Sequence, residues 1–124
     1  VTVGKRADLV LVSEDTIFAD VDMSMRIARE EIFGPVLCMI AYESVAQAIE
    51  IANDSEFGLS SGVYAADHVK AVAIAKQLRA GQCFIQGGYF RVDAPFGGYK
   101  QSGNGREWGE SGIDEYLETK AIIG

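Results

Sequence analysis

The sequence predicts an α/β fold, a parallel sheet with covering helices, on three observations. Residues 36 to 42 form an apolar run without the alternation of a half-solvated strand, two later segments carry apolar stripes at helical spacing, and short turn-rich links separate them. Strand, helix, strand, helix, strand with short links is the order of right-handed βαβ units, because parallel neighbours need a crossover that packs back on the sheet. The expected βαβαβ part occupies residues 15 to 86.

Val36-Leu37-Cys38-Met39-Ile40-Ala41-Tyr42 reads as a strand buried on both faces. Ser44 then stands as N-cap with Gln47 at capping-box spacing, and Val45, Ala48, Ile49 and Ala52 share one face of a helix over residues 44 to 54. After Asn53-Asp54-Ser55 and Gly58, Leu59 to Tyr64 is a second short apolar run. Asp67 caps the next helix, whose buried stripe is Ala71, Ile74, Ala75 and Leu78. Gly81 is expected to stop that helix in the left-handed conformation that glycine alone enters cheaply, and Cys83-Phe84-Ile85 begins a third strand. From residue 87 to 112, glycines punctuate aromatic and charged residues without a period. That pattern predicts a structured loop region, and ordering so long a loop costs entropy that a plain connection does not incur, so a functional role is expected. Residues 113 to 124 end in a β-favouring stretch, Tyr116 to Ile123, expected to form an edge strand.

Composition narrows the function. The chain has 124 residues, 48% apolar and 23% charged, which is one ordinary domain or a piece of one. A net charge of −7 without a run of Lys or Arg repels a phosphate backbone, so nucleic acid is excluded as a partner. No apolar stretch approaches the roughly 20 residues that span a bilayer, which excludes a membrane. Two cysteines make no disulfide framework and have no metal-ligand neighbours at the right spacing, pointing to no metal site and a reducing, cytoplasmic compartment. Val1 opens the chain without an initiator Met or a signal-type apolar core, as expected of a piece of a longer protein.

Among candidate site residues, Glu31 lies near the end of a short helix-like stretch that Gly34-Pro35 stops. The helix dipole disfavours a carboxylate there, so the position breaks a local rule. Two acceptor oxygens suit a vicinal diol such as a ribose; the plainer reading is an ion pair with Arg26 or Arg29. Gly97-Gly98-Tyr99-Lys100-Gln101-Ser102 lacks the order of a phosphate-binding P-loop, and Gly103-Asn104-Gly105 fails the dinucleotide pattern at its last glycine. Cys38 and Cys83 both fall within apolar strands, whereas a reactive thiolate needs partial exposure and an electropositive setting, so both read as packing residues. His68 follows an N-cap and reads as a surface residue.

Glu30-Glu31-Ile32-Phe33-Gly34-Pro35 before an apolar strand resembles a segment of the aldehyde dehydrogenase superfamily. The resemblance continues in order through Ile51-Ala52-Asn53-Asp54, Phe57-Gly58-Leu59, Gly62-Val63, Leu78-Arg79-Ala80-Gly81, the stretch from Pro95 to Gly103, Arg106-Glu107 and Glu118-Thr119-Lys120. It covers residues 16 to 124 well and Val1 to Asp15 loosely. It implies a C-terminal part of the catalytic domain of an enzyme that oxidises an aldehyde to a carboxylic acid with NAD or NADP. It also implies that Glu31 binds the nicotinamide ribose hydroxyls, that Phe33 packs beside the nicotinamide ring, and that Phe96 lines the aldehyde tunnel. The loop from Gln86 to Ala94, aromatic here at Tyr89 and Phe90, would set substrate choice; Gln86 stands where the family usually has Asn, and the loop is short. No catalytic residue is expected in this chain, because the family's nucleophilic Cys and general-base Glu lie upstream. The terminal strand would join intersubunit sheets of a homo-oligomer. Two rivals are a free-standing α/β binding or assembly module and a regulatory domain that senses NAD without chemistry.

Overall fold

A computed structural model describes residues 16–124. Strand β1 (Thr16–Phe18) pairs in parallel with β2 (Val36–Cys38), Thr16 opposite Val36 and Phe18 opposite Cys38, and the one-turn helix α1 (Arg26–Arg29) lies between them in sequence. Helix α2 (Val45–Asn53) leads to β3 (Phe57–Gly58) and β4 (Ser60–Val63). Helix α3 (His68–Ala75) is the crossover from β4 to β5 (Gln82–Ile85), which pair in parallel with Ser60 opposite Gln82 and Val63 opposite Ile85. β3 instead takes an antiparallel partner, β6 (Tyr99–Lys100), and α4 (Ser111–Asp114) is a last single turn. The mixed α/β class expected from sequence is present, as three separate two-stranded sheets among the described residues.

Local chemistry explains the helices. Asp67 accepts from the backbone N–H groups of Val69 at 2.8 Å and Lys70 at 3.2 Å, and Ser44 Oγ accepts from Gln47 N–H at 3.2 Å. Each satisfies donors that a helix start leaves orphaned, a contribution of about 1 kcal/mol per cap. Gln47 reaches back to the N–H of Glu43 at 2.6 Å, one residue before the usual partner of a capping box. The core is Val63, Ala71, Ile74 and Leu78, with Ile49, Ala65, Ala75, Cys83 and Ile85 packed around it, so the stripe of α3 faces inward as its spacing predicts.

Three expectations need correction. The run from residue 36 to 42 is not buried on both faces: the strand ends at Cys38, and Leu37 remains 45% exposed. β2 has β1 as its one ladder partner among the described residues, whereas the apolar pattern encodes neighbours all round. On α2 only Ala48 is buried and Ile49 half-buried, while Val45 and Ala52 face solvent, because the core beneath is small. Gly81 does not end α3 in left-handed backbone. The helix stops at Ala75 with Lys76 as a right-handed cap, and Gly81 is required for space, since a Cβ there would lie 1.6 Å from the carbonyl oxygen of Gly97. Among the described residues, 117–124 make no ladder, and Tyr116, Ile122 and Ile123 are almost fully exposed.

Candidate functional site

An open cleft of about 670 Å³ lies between α1, the C-terminal end of α2, the turn after α3, and the β3–β4 segment. Its frame is polar and tightly tied. The Asn53 amide donates to Gln77 O at 2.8 Å and accepts from Arg79 N–H at 2.7 Å, joining the end of α2 to the turn after α3. Lys100 Nζ donates to the carbonyls of Asn53 at 2.7 Å and Ser55 at 2.8 Å, placing a cation at the negative end of α2. Ser102 Oγ accepts from Gly58 N–H at 2.9 Å, and Gly58 tolerates no side chain because a Cβ would meet Arg79 O at 2.5 Å.

Glu31 stands on the wall of this cleft, just beyond α1. Both candidate arginine partners are engaged elsewhere: Arg26 pairs with Glu30 at 2.6 Å, and Arg29 reaches Asp54 Oδ2 at 2.7 Å and Asp54 O at 2.9 Å. The hydrogen bond from Arg29 holds the Asp54 carboxyl below its ordinary value, and the bond from Arg26 does the same for Glu30. Glu31 enters none of the ion pairs or side-chain hydrogen bonds among the described residues, which leaves both its oxygens open to a ligand. Phe33, two residues on, is 93% exposed and stands outside the cleft lining. A flat ring so placed packs against nothing among the described residues.

The second grouping is aromatic. Phe96 is fixed by a two-residue bridge to Glu107, with N–H to O distances of 2.7 Å in both directions. Its ring centroid lies 6.0 Å from that of Phe90 and 5.2 Å from that of Trp108, and Phe90 meets Trp108 edge-on at 4.8 Å. Such pairs are favourable beyond their buried area. Thus Phe90 and Phe96 come together, while Tyr89 is 93% exposed and apart from the ring cluster. Trp108 was not singled out from sequence; its one signal is an isolated indole in a glycine-rich stretch. Along the same loop Arg91 pairs with Asp93, and the Gln86 side chain bonds both backbone groups of Ala65, prolonging the β4–β5 ladder. Gln86 itself has φ of 54°, a left-handed conformation in which Asn is the commoner non-glycine residue.

The cleft and the cluster touch through backbone, because Gly81 follows Ala80 on the cleft wall and Gly97 follows Phe96 in the cluster. The cysteines lie away from both groupings: Cys38 on β2 donates to Ile27 O at 3.6 Å, and Cys83 on β5 packs against the core. His68 opens α3 on the surface.

Residues 4–122 match the model of the aldehyde dehydrogenase family. The chain is 54% identical over 112 residues to a 3-succinoylsemialdehyde-pyridine dehydrogenase of a Pseudomonas species, covering 90% of this chain and 24% of that protein. Aldehyde dehydrogenase C of Pseudomonas syringae, solved with NAD+ and octanal, superposes with a TM-score of 0.82 at 55% identity over 86% of this chain and 22% of that one. The indole-3-acetaldehyde dehydrogenase of P. syringae, solved as a variant with NAD+ and IAA, gives 0.80 at 47% identity with the same 86% and 22% coverage. The chain therefore spans under a quarter of the length of the proteins it matches.

Proposed function

This chain belongs to the aldehyde dehydrogenase family, and from that membership we propose that it is the C-terminal part of an enzyme that oxidises an aldehyde to a carboxylic acid with NAD or NADP. The observation that carries the reading is the pair Glu31 and Phe33: a carboxylate whose neighbouring arginines are bound elsewhere, and an unpacked ring two residues away. These residues fit the nicotinamide half of a dinucleotide. Glu31 accepts hydrogen bonds from the two ribose hydroxyls, and Phe33 gives the nicotinamide a flat wall. The bound cofactor supplies the hydride acceptor. Holding its ring still lowers the barrier by orientation, without either residue reacting.

Phe96 and Phe90 line the aldehyde path, with Tyr89 on the same loop at its rim. Rings on one wall suit a substrate bearing an aromatic group or an apolar chain, the kind named for the octanal and indole-3-acetaldehyde relatives. Nucleophile, general base and pyrophosphate contacts come from other segments of the enzyme. The nearly complete exposure of Phe33, Tyr89, Tyr116, Ile122 and Ile123 favours this reading over a free-standing module, whose surface would be mostly polar. The exposed, β-favouring stretch from Tyr116 to Ile123 pairs with a neighbouring subunit in a cytoplasmic homo-oligomer. No helix among the described residues is long and apolar enough to cross a membrane.

The test is turnover by the full-length polypeptide that contains this segment, followed by the absorbance of reduced nicotinamide with octanal and NAD or NADP. Steady production is expected. A folded, soluble full-length protein that reduces neither cofactor with aliphatic or aromatic aldehydes would overturn the proposal.

A further inference from the structure

Trp108, the one tryptophan of the chain, has left-handed backbone with φ of 61°, directly before Gly109 at 59°. A bulky side chain meets steric resistance there that glycine escapes, so surrounding contacts must hold it. Its ring contacts run to one loop. The indole lies against Phe90 at 83° and against Phe96 at 35°. On one side of it Glu107 is bridged to Phe96; on the other Gly109 N–H donates to Val92 O at 3.4 Å, and a Cβ on Gly109 would meet Asp93 O at 3.1 Å and Pro95 N at 3.2 Å. The turn at Trp108 is thus seated on residues 92 to 96 from both flanks. Trp108, 39% exposed, also forms part of the lining of a second cleft, of about 650 Å³, with Arg106, Ile113 and Tyr116.

We propose that Trp108 is a positioning residue that determines specificity: it holds Phe90 and Phe96 as one aromatic wall and so favours aldehydes with a ring or a long apolar chain over short ones. The inference rests on the reading that Phe90 and Phe96 line the aldehyde path. A ring fixed before binding loses no rotamer freedom when substrate packs against it, so binding is tighter for any substrate long enough to touch the wall. A two-carbon aldehyde does not reach it and gains nothing.

The experiment compares full-length enzyme with its Trp108→Leu and Trp108→Phe variants at saturating cofactor, using octanal, phenylacetaldehyde and acetaldehyde. For Trp108→Leu, kcat/KM for the two larger aldehydes is expected to fall roughly tenfold, the size of two lost ring pairs, mainly through KM. Acetaldehyde should stay within about twofold, the KM for cofactor should not move, and Trp108→Phe should recover most of the loss. An equal fall for all three aldehydes would mark a merely structural residue and overturn the inference, as would an unchanged ratio of octanal to acetaldehyde. If Trp108→Leu is insoluble, Trp108→Phe decides: the ratio drops about twofold, or the inference fails. Phe96→Ala separates this inference from the reading beneath it. Should that variant also leave the ratio unchanged, the substrate-lining reading itself is wrong; should it lower the ratio while Trp108→Leu does not, only the role of Trp108 is lost.

Discussion

Replacing Gly81 by alanine puts a methyl carbon 1.6 Å from the carbonyl oxygen of Gly97 and 2.8 Å from its carbonyl carbon. Ordinary contact begins at 3.4 Å, so the two strands of chain must part by about 1.8 Å. The obstacle is backbone, and no change of rotamer relieves it. If β5 yields, the bonds from Gly81 N–H to Gly58 O at 3.0 Å and from Gln82 N–H to Leu59 O at 3.2 Å are disturbed. If Gly97 yields instead, Phe96 moves with it against its bridge to Glu107. Overpacking of this kind costs about 1 to 3 kcal/mol, and each disturbed backbone bond about 1 kcal/mol more, giving a loss of about 3 to 5 kcal/mol if both bonds go. The consequence is not confined to stability. On the proposal that Phe96 lines the aldehyde path, a displacement of roughly 1 Å there lowers the rate on the order of 100-fold. Thermal melting of the full-length enzyme should show Gly81→Ala down by roughly 5 °C or more, with octanal turnover reduced accordingly. Gly62→Ala is the control: its new Cβ would meet Phe84 O at an ordinary 3.6 Å, and its melting temperature should match the parent. A Gly81→Ala enzyme that melts with the parent and oxidises octanal at the parental rate would refute the steric argument.

Asn53→Ala removes both hydrogen bonds that tie α2 to the turn after α3, and a loss of about 1 to 3 kcal/mol is expected in melting experiments; an unchanged melting temperature contradicts it. Asp54 titrates below the usual carboxylate range because Arg29 donates to it, so its contribution is present at neutral pH and is lost as pH falls through the lowered folded value. Asp54→Asn should therefore lie below the parent at neutral pH and converge with it in acid. The pair is exposed, so the gap is small and shrinks with salt, and a gap that stays constant into acid contradicts the assignment.

What the sequence revealed follows from the range of the interactions. The caps at Ser44 and Asp67 act within three residues and were legible, as was the stripe of α3, which packs on the two strands it connects. The burial of residues 36 to 42 was not, because an apolar pattern records the environment of a whole sheet, and the described residues supply one ladder partner for β2. Gly81 was correctly singled out for the wrong cause: a helix stop is a local pattern, whereas its close approach to Gly97 spans sixteen residues and is visible only in three dimensions. The same holds for the site. Glu31, Phe33 and Phe96 were marked by family resemblance, but the pairing of Arg29 with Asp54, which frees Glu31, and the stacking of Trp108 on Phe96 join residues that no periodicity links.

The claim on which the account turns is that Glu31 receives the nicotinamide ribose. The most direct test is the dissociation constant for NAD of the full-length enzyme and its Glu31→Ala variant, measured calorimetrically beside their melting temperatures. Two hydrogen bonds to a charged acceptor are lost, so the variant should bind NAD at least roughly tenfold more weakly. Its melting temperature without cofactor should be unchanged, since Glu31 makes no ion pair or side-chain hydrogen bond among the described residues. Equal NAD affinity in the two proteins would contradict the assignment of this carboxylate to the cofactor.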